Sequence, residues 1–293
     1  MHDNRTKNPI TAQMPAPAQI RQPAPTDFIE GAAKSLRLLE AFSPERQRLN
    51  ATQAAERAQL SRAAARRHLL TLEHLGYLEG DGEGSYWLTP RVLRLSGIYL
   101  ASARLPRLVQ PTLNRLALQT GLTFSVAVFD GAHLQAAGQA SALQASVVII
   151  ARSTLPAFDR ATATAYGLHL GARPAVHATS TGRMLLAQLS KPALNAWLAA
   201  QPKPLPRLTA NTITQAAVLR KAVAAAHAQD YAYVSEENEL GVHAIAIALR
   251  NASGRCAGAL NAVASTDTTS ATTLTKQVLP LMRAEARDLA LAL

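Results

Sequence analysis

Residues 28–89 constrain the fold most, because three short helical patterns and a glycine-rich hairpin pattern follow one another there. The first pattern is KSLRLLEAF, and Ser43-Pro44 ends it, since a residue before proline avoids helical backbone angles. Asn50 is placed to cap a second helix, ATQAAERA, and Ser61 to cap a third, RAAARRHLLTLEHL. The stretch YLEGDGEGSYWLTP then alternates around three glycines, as a short β-hairpin does. This layout predicts a winged helix-turn-helix domain.

The third helix combines an apolar stripe with a basic face. Its predicted stripe comprises Ala65, Leu69, Leu72 and Leu75, whereas the window 57–72 has four arginines and no acidic residue. Arginine reads guanine edges or pairs with phosphate, and small residues between arginines allow close approach to DNA. A merely solvated basic face is the alternative, but the neighbouring helix and hairpin favour double-stranded DNA. The residues predicted to contact DNA are Ser61, Arg62, Ala63, Ala64, Arg66 and Arg67.

The composition narrows the partners. Lys and Arg number 30 against 19 Asp and Glu, a formal net charge of +11, which favours nucleic acid or an anionic membrane surface. No uncharged apolar run approaches the roughly 18 residues that cross a bilayer, so we expect no membrane partner. The single cysteine, Cys256, excludes an internal disulfide and a Cys-rich zinc site and fits a reducing compartment. We therefore expect a cytoplasmic protein.

The hydrophobic pattern changes from helical to strand-like near residue 121, which predicts a second domain. Strand patterns at 146–151, 231–235, 244–250 and 255–263 alternate with helical stretches, and FSVAVFDGAHLQAA suggests a hairpin at Asp130-Gly131. The predicted fold class is α+β, with a mixed sheet flanked by helices in the second domain. The predicted organisation is a proline-rich disordered arm at 1–27, the winged helix-turn-helix at 28–89, linker and dimerisation helices at 90–120, and an effector-binding domain at 121–293.

Several motifs resemble the isocitrate lyase regulator (IclR) family. SLRLLEAF, LSRAAARRHLLTLEHLGY and YWLTPRVLRL resemble its N-terminal domain, and the AARR variant is closest to its protocatechuate and hydroxybenzoate regulator branch. HATSTGRMLLAQL and EENELGVHAIAIAL extend the resemblance over roughly residues 28–290. It implies a winged helix, a linker helix and a GAF-like effector domain, in a homodimer or tetramer that binds an operator and has RNA polymerase as a further candidate partner. Gln59 replaces the usual turn glycine, which requires a left-handed or adjusted backbone.

The resemblance also implies an effector site for a small carboxylic acid, with an aromatic acid favoured by the branch. Hydroxyl and N–H groups at the helix start near Ser180 suit a carboxylate, although ordinary helix capping is the alternative. Arg152 and Arg173 are further candidates for pairing with that carboxylate, with a solvated role as the alternative for each. The implied effector-binding residues are Ser180, Thr181, Ala244 and Asn261, with Tyr166, Val234 and Val263 as walls.

Catalytic interpretations find no support in the sequence. It has no G-x-S-x-G, G-x-G-x-x-G or Walker motif, so we expect neither an enzyme nor a cofactor. Glu236, Glu237, Glu239 and His243 lack the spacing of a metal site and are interpreted as a solvated turn. One alternative stays open, namely a DNA-binding protein whose second domain only oligomerises. A polar-lined pocket at Ser180, Thr181 and Asn261 would distinguish the two.

Overall fold

The computed structural model describes residues 23–130, 146–154 and 169–293. The chain forms two compact units, of which one ends at Ala103 and the other begins at Arg104. Both units combine helices with a sheet, which confirms the predicted α+β class. The elements of the N-terminal unit are α1 (Glu30–Leu39), β1 (Leu49–Asn50), α2 (Ala51–Ala58), α3 (Arg62–His74), β2 (Leu78–Gly80), β3 (Ser85–Leu88), a 3₁₀ turn (Pro90–Val92) and α4 (Leu93–Ser102).

Side-chain caps begin the two central helices of the N-terminal unit where the sequence predicts. The Asn50 side chain accepts hydrogen bonds from the N–H groups of Thr52 and Gln53. The Gln53 side chain in turn accepts a hydrogen bond from the Asn50 N–H, which completes a capping box. Ser61 Oγ accepts from the Ala64 N–H at 3.2 Å and begins α3. Local sequence therefore fixes both helix starts.

A small apolar core joins α1, α2 and α3 to a three-stranded antiparallel sheet with the order β1-β3-β2. Leu38, Leu69 and Leu78 are fully buried in this core. Leu36, in the apolar pattern of KSLRLLEAF, and Leu75, in the predicted stripe of α3, are exposed. Neither residue belongs to this core, in which α1 packs mainly on α2 and α3.

Gln59, between α2 and α3, adopts the left-handed conformation predicted for it. Its φ is 55° and its ψ is 48°, and the Leu60 N–H donates to the Ala55 carbonyl at 2.8 Å to close the turn. A Cβ atom makes this conformation unfavourable by roughly 1–2 kcal/mol. The turn geometry therefore persists without glycine, at a cost in stability.

The C-terminal unit begins with the helix Arg104–Thr120, which lies in the segment predicted to form the linker. Val109, Leu113 and Leu116 of this helix are fully buried in the unit's core, so only the segment at 90–103 lies outside it. The elements are α5 (Arg104–Thr120), β4 (Thr123–Asp130), β5 (Ser146–Arg152), α6 (Ser180–Leu186), α7 (Lys191–Ala200), α8 (Ala216–Gln229), β6 (Ala232–Ser235), β7 (Val242–Arg250), β8 (Cys256–Ser265) and, after a π-helical turn (Leu274–Val278), α9 (Leu279–Ala290).

The sheet of the C-terminal unit has the order β5-β4-β8-β7-β6. All of its described strand pairs are antiparallel, so the prediction of a mixed sheet is wrong in this detail. Strand β4 pairs with β5 on one side and β8 on the other, while the second strand of the hairpin predicted at Asp130-Gly131 lies outside the described residues. Helices α6, α7 and α8 cover one face of the sheet, and α5 and α9 cover the other.

Replacing Gln59 with glycine should stabilise the N-terminal unit by about 0.5–1 kcal/mol, because glycine removes the Cβ strain but also has a more flexible unfolded state. Urea unfolding followed by Trp87 fluorescence, in a Trp197→Phe background, measures this change. Glu56→Gly, inside α2, is the matched control and should lose about 1 kcal/mol. Equal losses in both variants would contradict the strain argument.

Candidate functional site

The basic face of α3 is open to solvent. Arg62, Arg66 and Arg67 are exposed, and none of them has an ion-pair or side-chain hydrogen-bond partner within the described ranges. Ala63 is exposed between them and Ala64 is half-buried, while Ala65 and Leu69 are buried behind them. The face therefore presents three unpaired guanidinium groups separated by small side chains, as contact with a major groove requires.

Other polar groups in and around α3 form hydrogen bonds within the N-terminal unit. Ser61, predicted to contact DNA, already uses its oxygen as the helix cap, although its O–H remains a donor. Arg57 Nε donates to the Ala41 carbonyl at 2.6 Å, so this arginine ties α2 to the end of α1. His68 Nδ1 lies 2.9 Å from Ser35 Oγ, and burial together with the nearby Lys34 charge lowers the pKa of His68.

The tip of the β2–β3 hairpin is acidic. Asp81 accepts hydrogen bonds from the N–H groups of Ser85 at 3.0 Å and Glu83 at 2.9 Å, and the Ser85 bond is the main reason that the pKa of Asp81 is lowered. Asp81 and Glu83 are both exposed, so two carboxylates occupy the tip. They disfavour close contact between this tip and phosphate.

The C-terminal unit has a small cavity of about 60 Å³ between the sheet and the start of α6. Seven residues are predicted to bind the effector, and one of them, Tyr166, lies outside the described residues. The structure brings the other six together around this cavity; they are Ser180, Thr181, Ala244, Asn261, Val234 and Val263.

The polar groups of this cavity converge on the central strand β8. Asn261 is 4% exposed, and its Oδ1 accepts a hydrogen bond from Ser180 Oγ at 2.8 Å. Thr181 is buried and makes no side-chain hydrogen bond within the described part of the chain. Ser125, opposite Asn261 on β4, is 1% exposed and its Oγ has no partner. A buried hydroxyl without a partner is unfavourable, so these groups favour a polar ligand in the cavity.

The sequence did not single out several residues that line the cavity. Ser125 lies in an otherwise apolar strand, and only its pairing with Asn261 places it at the site. The loop after β6 also contributes, although Glu237 and Glu239 were interpreted as a solvated turn. Further lining residues that the sequence did not indicate are Ile149, Pro174, Ala178, Thr179, Asn238 and Val242.

Helix α6 begins at Ser180, where the sequence predicts a helix start. Thr179, not Ser180, is its N-cap, and Thr179 Oγ1 accepts from the Gly182 N–H at 3.2 Å. One of the free N–H groups expected to bind a carboxylate is therefore already satisfied. The helix has only seven residues, which limits the attraction that its dipole adds. Ser180 is thereby free to face the sheet and bond Asn261.

Gly182 permits the tight approach of α6 to the preceding loop. A Cβ atom at Gly182 would lie 2.1 Å from the carbonyl oxygen of Val176, well inside contact distance. Only glycine fits this position without moving the helix start, and with it Ser180 and Thr181. The glycine therefore contributes directly to the shape of the cavity.

A buried ion pair holds the loop that covers one side of the cavity. Arg183 Nη2 donates to Glu237 Oε2, and the same arginine nitrogen donates to the His177 carbonyl at 3.2 Å. Both side chains of the pair are almost fully buried. The prediction of a solvated turn is therefore wrong for Glu237. Its charged partner, Arg183, lies far away in sequence, so the local pattern around Glu237 does not reveal the pair. The Ile213 N–H also donates to Glu237 Oε2 at 3.2 Å.

The remaining titratable groups near the cavity have structural environments. The His243 ring lies 3.1 Å from the Tyr233 hydroxyl, and both side chains belong to the sheet face opposite α6, by the alternation of β7. Burial lowers the pKa of His243 and raises that of Cys256, so both groups are neutral near pH 7. No cluster of three His, Cys, Asp or Glu side chains suited to a metal exists in the described ranges. Over the same residues, no helix has the length and apolar character to span a bilayer.

The two arginines considered for an effector carboxylate differ in their surroundings. Arg173 is half exposed and pairs with Asp130 at 3.0 Å, so its charge is already neutralised. Arg152 is half-buried at the end of β5 and has no carboxylate partner among the described residues. Only Arg152 therefore remains available for an anion.

Two sequence families match these two units. The family described as "IclR helix-turn-helix domain" matches residues 31–82, and that described as "Bacterial transcriptional regulator IclR C-terminal" matches residues 97–291. The chain is 46% identical to the p-hydroxybenzoate hydroxylase transcriptional activator of Acinetobacter baylyi, over 90% of this chain and 91% of that protein. It is 43% identical to the Pca operon regulatory protein of the same organism, over 90% of this chain and 88% of that protein.

Two solved structures are similar as well. A protein of Rhodococcus sp. RHA1 aligns with a TM-score of 0.68 and 32% identity, over 90% of this chain and 97% of that one. The inducer-binding domain of the PobR transcription factor from Acinetobacter, a double mutant in complex with 3-hydroxybenzoic acid, aligns with a TM-score of 0.57 and 39% identity. That alignment covers 65% of this chain and all of the domain.

A helix-turn-helix unit followed by a unit with a polar-lined cavity, together with these family matches, defines a transcription regulator. The chain belongs to the IclR family of bacterial transcriptional regulators. The resemblance seen in the sequence is thereby confirmed, including its hydroxybenzoate and protocatechuate branch.

Replacing Gly182 with alanine should destabilise the C-terminal unit by roughly 3 kcal/mol, because the new methyl group overlaps the Val176 carbonyl. Urea unfolding followed by fluorescence of the buried Trp197, in a Trp87→Phe background, measures the loss. Gly97→Ala, in α4 with open space around the site, is the control and should be neutral or slightly stabilising. A Gly182→Ala variant with parental stability would show that α6 is not held by this approach.

Proposed function

We propose that this protein regulates genes for the catabolism of aromatic acids, with an aromatic carboxylate as its effector. The cavity beside α6 is the observation that carries the proposal, because its apolar walls surround polar groups of which two, the Ser125 and Thr181 hydroxyls, have no hydrogen-bond partner among the described residues. The similarity to a p-hydroxybenzoate hydroxylase activator, and to a domain solved with 3-hydroxybenzoic acid, supports hydroxybenzoates as the class of effector.

DNA recognition in this proposal rests on α3. The exposed arginines of α3 enter a major groove, while α2 and α1 hold the helix from behind. Predicted contacts are Arg62, Arg66 and Arg67 to bases or phosphates, and Ala63 and Ala64 to thymine methyl groups. Binding to chromosomal DNA implies a cytoplasmic location.

In this proposal the apolar and the polar residues that line the cavity contact different parts of the effector. An aromatic ring packs on Val234, Val263 and Ala244, and the polar substituents reach Thr181 and Asn261. A domain that served only for oligomerisation would fill this space with apolar side chains, since unpartnered buried polar groups are costly. The polar lining therefore favours a ligand-binding domain over that alternative.

Assembly into a homodimer or tetramer completes the proposal. Helix α4 has no buried residue, and Leu93 and Ile98 are 65% and 67% exposed. Leu95 and Tyr99 are also exposed and share one face of α4 with Ile98, and this apolar surface is large for a helix left in water. A second copy of α4 would cover it and pair two α3 helices for the half-sites of an operator.

Effector binding then acts by shifting a population. If the effector binds one arrangement of the assembly more tightly than another, the spacing of the two α3 helices, or a contact with RNA polymerase, changes with effector concentration. The magnitude of the response equals the difference between the two binding free energies.

Alanine at Arg62 or Arg67 should weaken operator binding by about 1–3 kcal/mol, since either side chain supplies a base or phosphate contact. Fluorescence anisotropy on an operator selected from random DNA by the parent protein measures the affinity. Arg287→Ala, an exposed change in α9 of the other unit, is the control and should bind as the parent does. Parental affinity in both α3 variants, at unchanged stability, would refute the role of this helix.

Thr181→Val nearly preserves volume but removes a cavity hydroxyl, and should weaken 4-hydroxybenzoate binding by about 1–2 kcal/mol. Isothermal titration calorimetry on the full chain measures the dissociation constant. Thr272→Val, at an exposed position away from the cavity, is the control. If Thr181→Val binds as tightly as the parent, the effector does not contact this hydroxyl.

A further inference from the structure

A one-residue bulge in β5 places an arginine on the sheet face that carries the cavity. Ala127 pairs with Ile149, but Val126 pairs with Ala151, so Ile150 is an extra residue on β5. Such bulges reverse the faces to which the following side chains point, and they are common beside functional sites. Without the bulge, Ala151 would lie opposite Ser125; with it, Arg152 does.

The pairing places Arg152 in one row with the polar groups of the cavity. Arg152 lies opposite Ser125, and Ser125 lies opposite Asn261 on the next strand. Directly paired residues of neighbouring strands have their side chains on the same face, with Cβ atoms about 5 Å apart. The guanidinium of Arg152 is therefore within reach of the space that Ser125 and Asn261 line.

Arg152 differs from two other arginines of the C-terminal unit that are not fully exposed. Arg183 pairs with the Glu237 carboxylate, and Arg250 pairs with the Asp230 carboxylate at 2.8 Å. In the described residues, Arg152 has no such partner, and its Nε is buried without any hydrogen bond. Burial also lowers the pKa of Arg152, which reflects a charge removed from water without compensation.

The backbone around Arg152 is held firmly. Gln110 of α5 donates to the Arg152 carbonyl at 2.8 Å, and Asn114 of the same helix accepts from the Thr154 N–H at 3.0 Å. Beyond the bulge, the Ser153 N–H donates to the Phe124 carbonyl at 2.9 Å, and Ser153 Oγ accepts from the Phe124 N–H at 3.2 Å. These bonds fix the register that directs Arg152 to the cavity face.

We propose that Arg152 binds the carboxylate of the aromatic effector, with the Ser125 hydroxyl as a second donor to the same group. This inference rests on the proposed function and adds an orientation to it. The carboxylate lies at the β4–β5 side of the cavity, and the ring extends over β8 and β7 toward Val263 and Val234. A guanidinium forms paired hydrogen bonds with a carboxylate, and the neutral carboxamide of the same acid loses the charge-assisted part of that interaction.

The test compares a carboxylate with its carboxamide. The tightest binder among benzoate, 3-hydroxybenzoate and 4-hydroxybenzoate is titrated into the full chain by calorimetry, followed by its carboxamide. The parent should prefer the carboxylate by about tenfold or more, as expected for a charge-assisted hydrogen bond. In Arg152→Met that preference should fall to about twofold or less, whereas Arg173→Met should keep it, because Arg173 is paired with Asp130.

Each outcome decides the matter. A parental preference retained in Arg152→Met overturns the role of Arg152 and leaves the proposed function standing. A parent that binds none of the three acids overturns both proposals together. If Arg152→Met does not fold, Arg152→Gln serves instead, since glutamine keeps a long polar side chain but carries no charge. A reduced carboxylate preference in Arg152→Gln supports the inference, and an unchanged preference refutes it.

Discussion

The hydrogen bond between Ser180 Oγ and Asn261 Oδ1 joins the start of α6 to the central strand of the sheet, and the cavity depends on it. Gly182 allows the helix to lie close enough to the Val176 carbonyl for that bond to form. The other face of the same strand carries Leu260 and Ala262 in a dry apolar core. One strand therefore stabilises the unit on one face and lines the ligand site on the other.

The arginines of this protein have distinct tasks that burial and pairing distinguish. Those on α3 are exposed and unpaired, as binding to a polyanion requires. Arg183 is buried with Glu237 and holds the loop beside the cavity, so its charge is already paired within the protein. Arg152 lies between these extremes, half-buried and without a carboxylate within the described residues, and this is the environment in which a small organic anion binds well.

The N-terminal half of the fold was predictable because its signals are local. Asn50 and Ser61 cap helices within three residues of themselves, and the glycines of the hairpin occupy the turn between its own strands. The expectation of a left-handed or adjusted backbone at Gln59 came instead from the family resemblance, which places a glycine in this turn. The apolar patterns were less accurate, since Leu36 and Leu75 are exposed and lie outside the core that the three helices share.

The sequence by itself determined the family and most helices and strands, because motifs and periodicity are written along the chain. The family resemblance, and not the periodicity, indicated the six residues that surround the cavity. Tertiary structure alone decided the strand order, the antiparallel pairing and the burial of Glu237, because these depend on partners far away in sequence. It also decided which side chain of β5 faces the cavity. A single extra residue exchanges Ala151 for Arg152 opposite Ser125, and a side-chain period of two cannot reveal a bulge until the partner strand is known.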